Sequence, residues 1–142
     1  MDHIRETRQK ELRAWFKNAP LASTIPMTLL ELNTGMVWVT LSVQERYLVE
    51  GDSGRIVQGG VIATLADAAA VTAAMSLLPS GHTPLAHLDI DFLAPVTLED
   101  ETITAEANVI RETLRAMWVK VTVFGRGNEI KAFGTARFAK PK

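Results

Sequence analysis

Between Arg55 and Asp89, Asp67 is the only residue that carries a formal charge, and it stands in the most apolar part of the chain. A carboxylate among Ala, Val and Leu is costly unless a partner or a reaction uses it. Ionised, it can attack a carbonyl as a nucleophile or take a proton from water as a general base. Burial raises an Asp pKa, so both roles need nearby donors or water to keep it charged. A structural Asp paired with Arg or His across an interface is the other reading, and the residue types alone leave both open. Gly59 and Gly60 open the same apolar run. Backbone N–H groups at a helix N-terminus point at an anion, and glycine lets a ligand approach closely; a plain loop-to-helix turn is the alternative. Gln58, just before them, can donate and accept but does not titrate near neutrality, which suits an orienting role. Thr64 and Val71 share the Asp67 face at i−3 and i+4.

The elements that must hold these groups can be read from the pattern. Ile4, Leu12, Trp15 and Phe16 fall on one helical face, which predicts a surface helix over Asp2–Asn18, ended by Pro20. Met27 to Val43 reads as a hairpin turning at Asn33-Thr34-Gly35. A loop containing Gly51-Asp52-Ser53-Gly54 follows, up to Gln58. The apolar helix then runs from Gly59-Gly60 to near Leu78, with Pro79-Ser80-Gly81 as breaker. The remainder reads as strands: Leu85–Leu93, the alternating runs 102–109 and 117–124, and a last strand whose one face carries Ile130, Ala132, Gly134, Ala136 and Phe138. Such alternation suits antiparallel strands with one face on a core. One long apolar helix and a run of strands predict an α+β layer pair, an antiparallel sheet wrapped around the helix.

The composition sets limits. The 142 residues fit one domain, expected to span 1–142. Hydrophobic residues make up 47% and charged residues 22%, an ordinary globular balance. A formal net charge of −1 leaves no electrostatic footprint for nucleic acid. With no cysteine, disulfides, thiolate catalysis and Cys-ligated metals are excluded, and a reducing cytoplasm is compatible. The N-terminal residues are densely charged and do not read as a signal peptide. Ile56–Leu78 is long enough to span a membrane, but a central Asp costs ~2.5–3.5 kcal/mol there and Ala at seven positions from Val61 to Met75 adds little drive; a buried central helix is the preferred reading. No HExxH, His pair or acidic cluster suggests a metal, and no cofactor is implied. His82 and His87 are the only histidines outside the first helix region. His87, on a strand, is a candidate partner for Asp67 or for substrate, although a lone strand His is commonly structural.

The run GRIVQGGVIATLADAAA, Gly54–Ala70, together with LDIDFLAPV, Leu88–Val96, and FGTARF, Phe133–Phe138, resembles the hotdog-fold thioesterases, specifically their phenylacetyl-CoA (PaaI-like) branch. The spacing from Gln58 to Asp67 equals that branch's spacing from its His to its acidic residue. The resemblance implies hydrolysis of an acyl-CoA thioester, aromatic or medium-chain, in a homodimer or homotetramer with each active site at a subunit interface. It implies Asp67 as nucleophile or general base and the Gly59 and Gly60 N–H groups as donors to the carbonyl oxygen as it becomes negative. Four positions depart from the pattern: Gln58 replaces the His, Asp52 a frequent Asn, Leu85 a Ser or Thr, and His87 an Asp. A non-catalytic acyl-CoA or small-ligand binder on the same fold is therefore the second reading. A hydratase would need a His at Thr72 and ranks last. If CoA is the ligand, its phosphates are expected near Arg111, Arg115, Arg126 or Lys131, with Arg115 and Arg126 taken as substrate-binding together with Thr64 and His87. The acyl group is expected against the helix and residues such as Trp38, Phe92 and Met117, for each of which core packing is the alternative.

Overall fold

The computed structural model describes residues 6–141. The predicted start of the first helix at Asp2, with Ile4 on its apolar face, lies outside them. Helix α1 spans Glu6–Asn18. Strands β1 (Thr28–Asn33) and β2 (Met36–Ser42) form the expected hairpin, turning through Gly35, whose φ of 75° is easy only for glycine. The segment to Gln58, predicted as loop, folds a two-stranded ribbon instead: β3 (Leu48–Gly51) pairs antiparallel with β4 (Gly54–Val57). The Gly51-Asp52-Ser53-Gly54 stretch is its turn. Four-residue strands exposed along half their length carry no clear period, which is why they read as loop.

Helix α2 spans Gly59–Met75, and the chain turns out of it before Leu78. Strands β5 (Leu85–Phe92), β6 (Thr102–Glu112), β7 (Ala116–Phe124) and β8 (Ile130–Ala139) follow. Six strands form one fully antiparallel sheet in the order β1-β2-β6-β7-β8-β5. Register shifts in β1, β5, β6 and at the β7–β8 pair mark bulges. Bulges bend strands and increase twist, which suits a sheet curved around α2.

The inner face carries Val37, Val39 and Leu41 from β2, Ile103, Ala105 and Ala107 from β6, and Met117, Val119, Val121 and Val123 from β7, all buried. Against them α2 sets Ile62, Leu65, Ala66, Ala69 and Ala73. Alanine on both layers lets the helix sit close to the middle strands. On β8 the alternation holds from Ala132 to Phe138, but Ile130 is exposed: the register shift between Val123 and Phe124 puts Lys131 out of step. Met117 belongs to this core. Trp38, half-buried, alternates with Val37 and Val39 and so lies on the outer face, beside Phe124 and Gly125. Of the three residues expected around an acyl group, Phe92 borders a cavity next to α2.

Candidate functional site

Helix α2 is apolar all round, so its one polar stripe is conspicuous. Gly60, Thr64, Asp67 and Val71 recur at helical spacing on the side turned away from the sheet, and none of them is fully buried. Among the described residues Asp67 has no hydrogen bond and no ion pair. Burial pushes its carboxyl above the ordinary value of 3.8. The Thr64 hydroxyl donates to the Gly60 carbonyl at 2.8 Å, which leaves its lone pairs toward the stripe. Asp67 and Thr64 both border a cavity of about 130 Å³ between α2 and α1, walled by Trp15, Phe16 and Met27.

The N-terminus of α2 is open. Gln58 sits at the N-cap position with φ −59° and ψ 135°, and its side chain makes no capping bond. Its backbone is fixed: the N–H donates to the Tyr47 carbonyl at 2.9 Å and the carbonyl accepts from Val61 at 3.0 Å. The Val57 N–H donates to Val96 at 2.8 Å and holds the approach to the helix. No acceptor lies opposite the N–H groups of Gly59 or Gly60 among the described residues. A Cβ on Gly59 would come within 3.3 Å of the Phe92 ring, and one on Gly60 would meet nothing. Gly59, Ile62, Phe92, Leu93 and Pro95 border a second, apolar cavity of about 330 Å³. Phe92 and Leu93 on its rim are 52% and 56% exposed, at the end of the edge strand β5.

These two halves do not meet within one chain. Gly59 and Asp67 are eight residues apart on one helix, about 12 Å along its axis at ~1.5 Å per residue. They border different cavities. A carbonyl whose carbon is within reach of Asp67 cannot place its oxygen on the Gly59 N–H of the same copy.

The other expected residues are dispersed. Arg126 lies in the β7–β8 turn at the Gly59 end, and its N–H donates to Asp100 Oδ1 at 2.9 Å. Arg115 lies in the β6–β7 turn at the opposite end of β7, about 30 Å away by strand rise. His87 is exposed on β5 and alternates with Leu88 and Ile90, which pack on the core, so it lies on the sheet face away from α2. Lys131 is committed elsewhere. It is buried, donates to the Pro95 carbonyl at 3.0 Å and pairs with Asp100 at 3.5 Å and Glu129 at 2.5 Å. Burial works against its charge, but Glu129 and Asp100 outweigh it and raise the ammonium pKa. Burial likewise raises Asp100, yet the Arg126 and Thr97 N–H groups and Lys131 bring its carboxyl below the ordinary range. This knot ties down the loop that walls the Gly59 cavity.

Sequence reasoning missed Arg8. It is buried at the far end of α2, where Nε donates to Leu78 O at 3.0 Å and Nη2 to Met75 O at 3.1 Å and Gly81 O at 2.7 Å. Its place on the helix predicted for the surface hid this: three acceptors some 70 residues away leave no local signal. No helix of the described residues is long and apolar enough to cross a membrane.

Comparison with known proteins gives this arrangement a family. No curated protein matches the chain. Among solved structures, the PaaI protein of E. coli, from its phenylacetic acid degradation operon, is 20% identical with a TM-score of 0.86, covering 98% of this chain and 96% of its own. A variant of the phenylacetic acid degradation protein PaaI of Thermus thermophilus is 19% identical with a TM-score of 0.74, over 86% of this chain and 99% of its own. A variant of a thioesterase from Staphylococcus aureus is 16% identical with a TM-score of 0.75, over 85% of this chain and 98% of its own. At these identities the likeness is one of fold, the hotdog fold. The thioesterase superfamily model matches residues 54–131, the stretch that begins at the β4 turn, carries all of α2 and ends at Lys131. That is more than half of the sequence, and the chain therefore belongs to the thioesterase superfamily.

Proposed function

We propose that the protein hydrolyses an acyl-CoA thioester to the free acid and CoA, using Asp67 of one copy and the Gly59 and Gly60 N–H groups of another. The observation that carries this is the Asp67 carboxylate itself: ionisable, without a partner among the described residues, and set in the wall of an apolar cavity. The ionised carboxylate attacks the thioester carbon, or takes a proton from a water that does. Either way the carbonyl oxygen becomes negative. Two N–H groups at a helix N-terminus, aided by the helix dipole, stabilise that charge. The carbon–sulfur bond then breaks and CoA leaves as the thiol after taking up a proton. In the nucleophilic route water then hydrolyses the mixed anhydride on Asp67.

The 12 Å between the halves is what calls for a second copy. A twofold pairing places the same patch of each subunit against the other, so Asp67 of one copy meets the glycines of its partner and two sites form. The edge strand β5, with Phe92 and Leu93 exposed beside Gly59, is the surface for that pairing. Gln58 then orients the carbonyl with its amide, and Arg126, on the same end, meets the CoA phosphates. Thr64 lines the acyl side beside Asp67. Arg115 and His87 lie apart from both halves of their own chain and would reach a ligand only from another copy.

Gln58 favours a second reading, a binder without turnover, because an amide cannot supply a proton. Free-thiol release from a panel of aromatic and straight-chain acyl-CoAs decides. Turnover by wild type and a loss of about 10²-fold or more in Asp67→Asn, the magnitude of a positioned base or nucleophile, is the expected result. Binding of CoA esters without any thiol release would leave only the binder.

A further inference from the structure

We infer that Lys131 is a positioning residue for the open end of α2: paired with Asp100, it fixes the strap formed by residues 93–97, and the strap fixes where the Gly59 N–H sits. This rests on the reading of that N–H as a donor to the carbonyl oxygen. Among the described residues the buried charged side chains are Arg8, Asp100 and Lys131. Arg8 closes the far end of α2. The other two meet at the Gly59 end, and the hydrolysis proposed above uses neither of them.

Five successive residues make the strap. Leu93 and Ala94 donate their N–H groups to the Lys131 carbonyl at 2.8 and 3.2 Å. The Pro95 carbonyl accepts from Lys131 Nζ at 3.0 Å. The Thr97 N–H donates to Asp100 Oδ2 at 2.9 Å, and Asp100 Oδ1 lies 3.5 Å from Lys131 Nζ. Four of the five are thus tied to one ion pair. The fifth, Val96, is tied to the helix instead: its carbonyl accepts the Val57 N–H at 2.8 Å, one residue before the N-cap Gln58. Phe92, where the strap leaves β5, packs so near Gly59 that a Cβ there would come within 3.3 Å of its ring. The strap therefore meets the start of α2 at Val57 and is held from behind by Lys131 and Asp100. The pair has no slack. A Cβ on Gly125 would lie 2.5 Å from Asp100 Oδ1 and 2.5 Å from Lys131 Cε. A buried ion pair adds little stability, because desolvation offsets its attraction. Its charge-assisted hydrogen bonds are nonetheless strong, and here they converge on main-chain atoms of the strap. An oxyanion donor needs such a frame, since a misplacement of about 1 Å can cost about 10²-fold in rate.

The test measures free-thiol release by wild type, Lys131→Met, Gly59→Pro and the double variant. Asp100 keeps the Arg126 and Thr97 N–H groups in Lys131→Met, so its charge is not left bare. Lys131→Met is expected to lower kcat about tenfold or more with KM nearly unchanged, the pattern of an interaction made in the transition state. Added to Gly59→Pro, which lacks the N–H, it should cost little more, whereas independent losses multiply. Losses that multiply, or a loss matched by the fraction of unfolded protein, overturn the assignment. Should Lys131→Met not fold, Gly125→Ala, which keeps both charges and displaces them, carries the same cycle. Rescue uses the absence of cysteine from the chain. Lys131→Cys, unfolded, alkylated with bromoethylamine and refolded, bears a lysine analogue with sulfur in place of Cγ, the thiolate having displaced bromide. Its kcat should return toward wild type; an alkylated protein no faster than Lys131→Cys itself counts against the role. Hydrogen exchange separates this inference from the hydrolase reading. The Val57 amide should exchange faster in Lys131→Met while amides of the central strand β7 do not. A wild type that releases no thiol, with Val57 responding, keeps the strap and removes the hydrolase. Asp67-dependent hydrolysis with kcat and Val57 both indifferent to Lys131 keeps the hydrolase and removes the positioning role.

Discussion

The two ends of α2 are treated in opposite ways. At the C-terminus several devices are used. Arg8 donates to three carbonyls, the Ser76 hydroxyl donates to Ala73 at 2.6 Å, and the Gly35 N–H donates to that same hydroxyl at 2.7 Å. A cation at a helix C-terminus also complements the macrodipole. At the N-terminus Gln58 holds the position where Ser, Thr, Asp or Asn would cap, and it does not cap. The Gly59 and Gly60 N–H groups are left without an acceptor among the described residues. The chain therefore has the means to close a helix end and uses them at one end only. On the proposed reading the open end is where the negative carbonyl oxygen binds, whereas the closed end carries stability. The two ends should then fail differently when changed.

The largest effect is expected at the open end. Gly59→Pro deletes one N–H where proline fits, since it is the first helical residue and Gln58 already has the extended ψ that precedes a proline. The one close contact is the tip of the exposed Phe92 ring. Turnover should drop by about 10²–10³, the usual cost of a lost oxyanion donor, with the melting temperature nearly unchanged. Gly60→Ala, which keeps its N–H and meets nothing in its own chain, is the comparison and should lose far less than Gly59→Pro. An equal mixture of Gly59→Pro and Asp67→Asn, unfolded and refolded together, should recover about a quarter of the wild-type sites, the statistical yield of a twofold interface with one intact site per mixed pair. No recovery would mean that both halves come from one chain and that the 12 Å gap closes by some other route.

The closed end should show the reverse. Arg8→Met strands the buried Met75 and Leu78 carbonyls, which costs about 2–3 kcal/mol. At fixed protein concentration that lowers the melting temperature by roughly 6–10 °C. Turnover per folded molecule in the cold should hold. If Arg8→Met instead left the melting temperature unchanged, the contrast between the ends would have no energetic content.

How far this contrast can be read from sequence depends on range. Asp67 is conspicuous because nothing around it in sequence is charged, and Gly59 and Gly60 because they open the same run. The sheet is legible where alternation persists, as in β6 and β7. The same parity places Met117 with Val119 and Val121 in the core and Trp38 opposite Val37, so the misplaced acyl contacts had a signal. The β3–β4 ribbon had none, being too short for a period. Arg8 had none either, because the three carbonyls it holds are some 70 residues away. Arg115 and Arg126 look close in sequence, but a strand between them extends for its full length. The α1–α2 cavity requires two helices packed together and belongs to tertiary structure alone.

The smallest effect concerns Asp67 and stability, and it ties the open stripe to the same trade. Burial holds the Asp67 carboxyl above 3.8, so the folded chain keeps its proton to a higher pH than the unfolded chain does. Stability from this group is fully present below the unfolded pKa and is lost as pH rises through the folded one. At neutral pH the ionised carboxylate therefore strains the fold. Asp67→Asn should gain slightly in stability there, the gain kept small because the carboxylate is partly open to water, and it should vanish at low pH. Wild-type kcat/KM should fall on the acid side with an apparent pKa above 3.8, since only the carboxylate acts. A second copy that supplies donors to Asp67 would shrink the gain. The variant's melting temperature followed against protein concentration separates the two. A gain that grows on dilution assigns the missing donors to the partner, and a gain independent of dilution leaves Asp67 bare in the assembled protein as well.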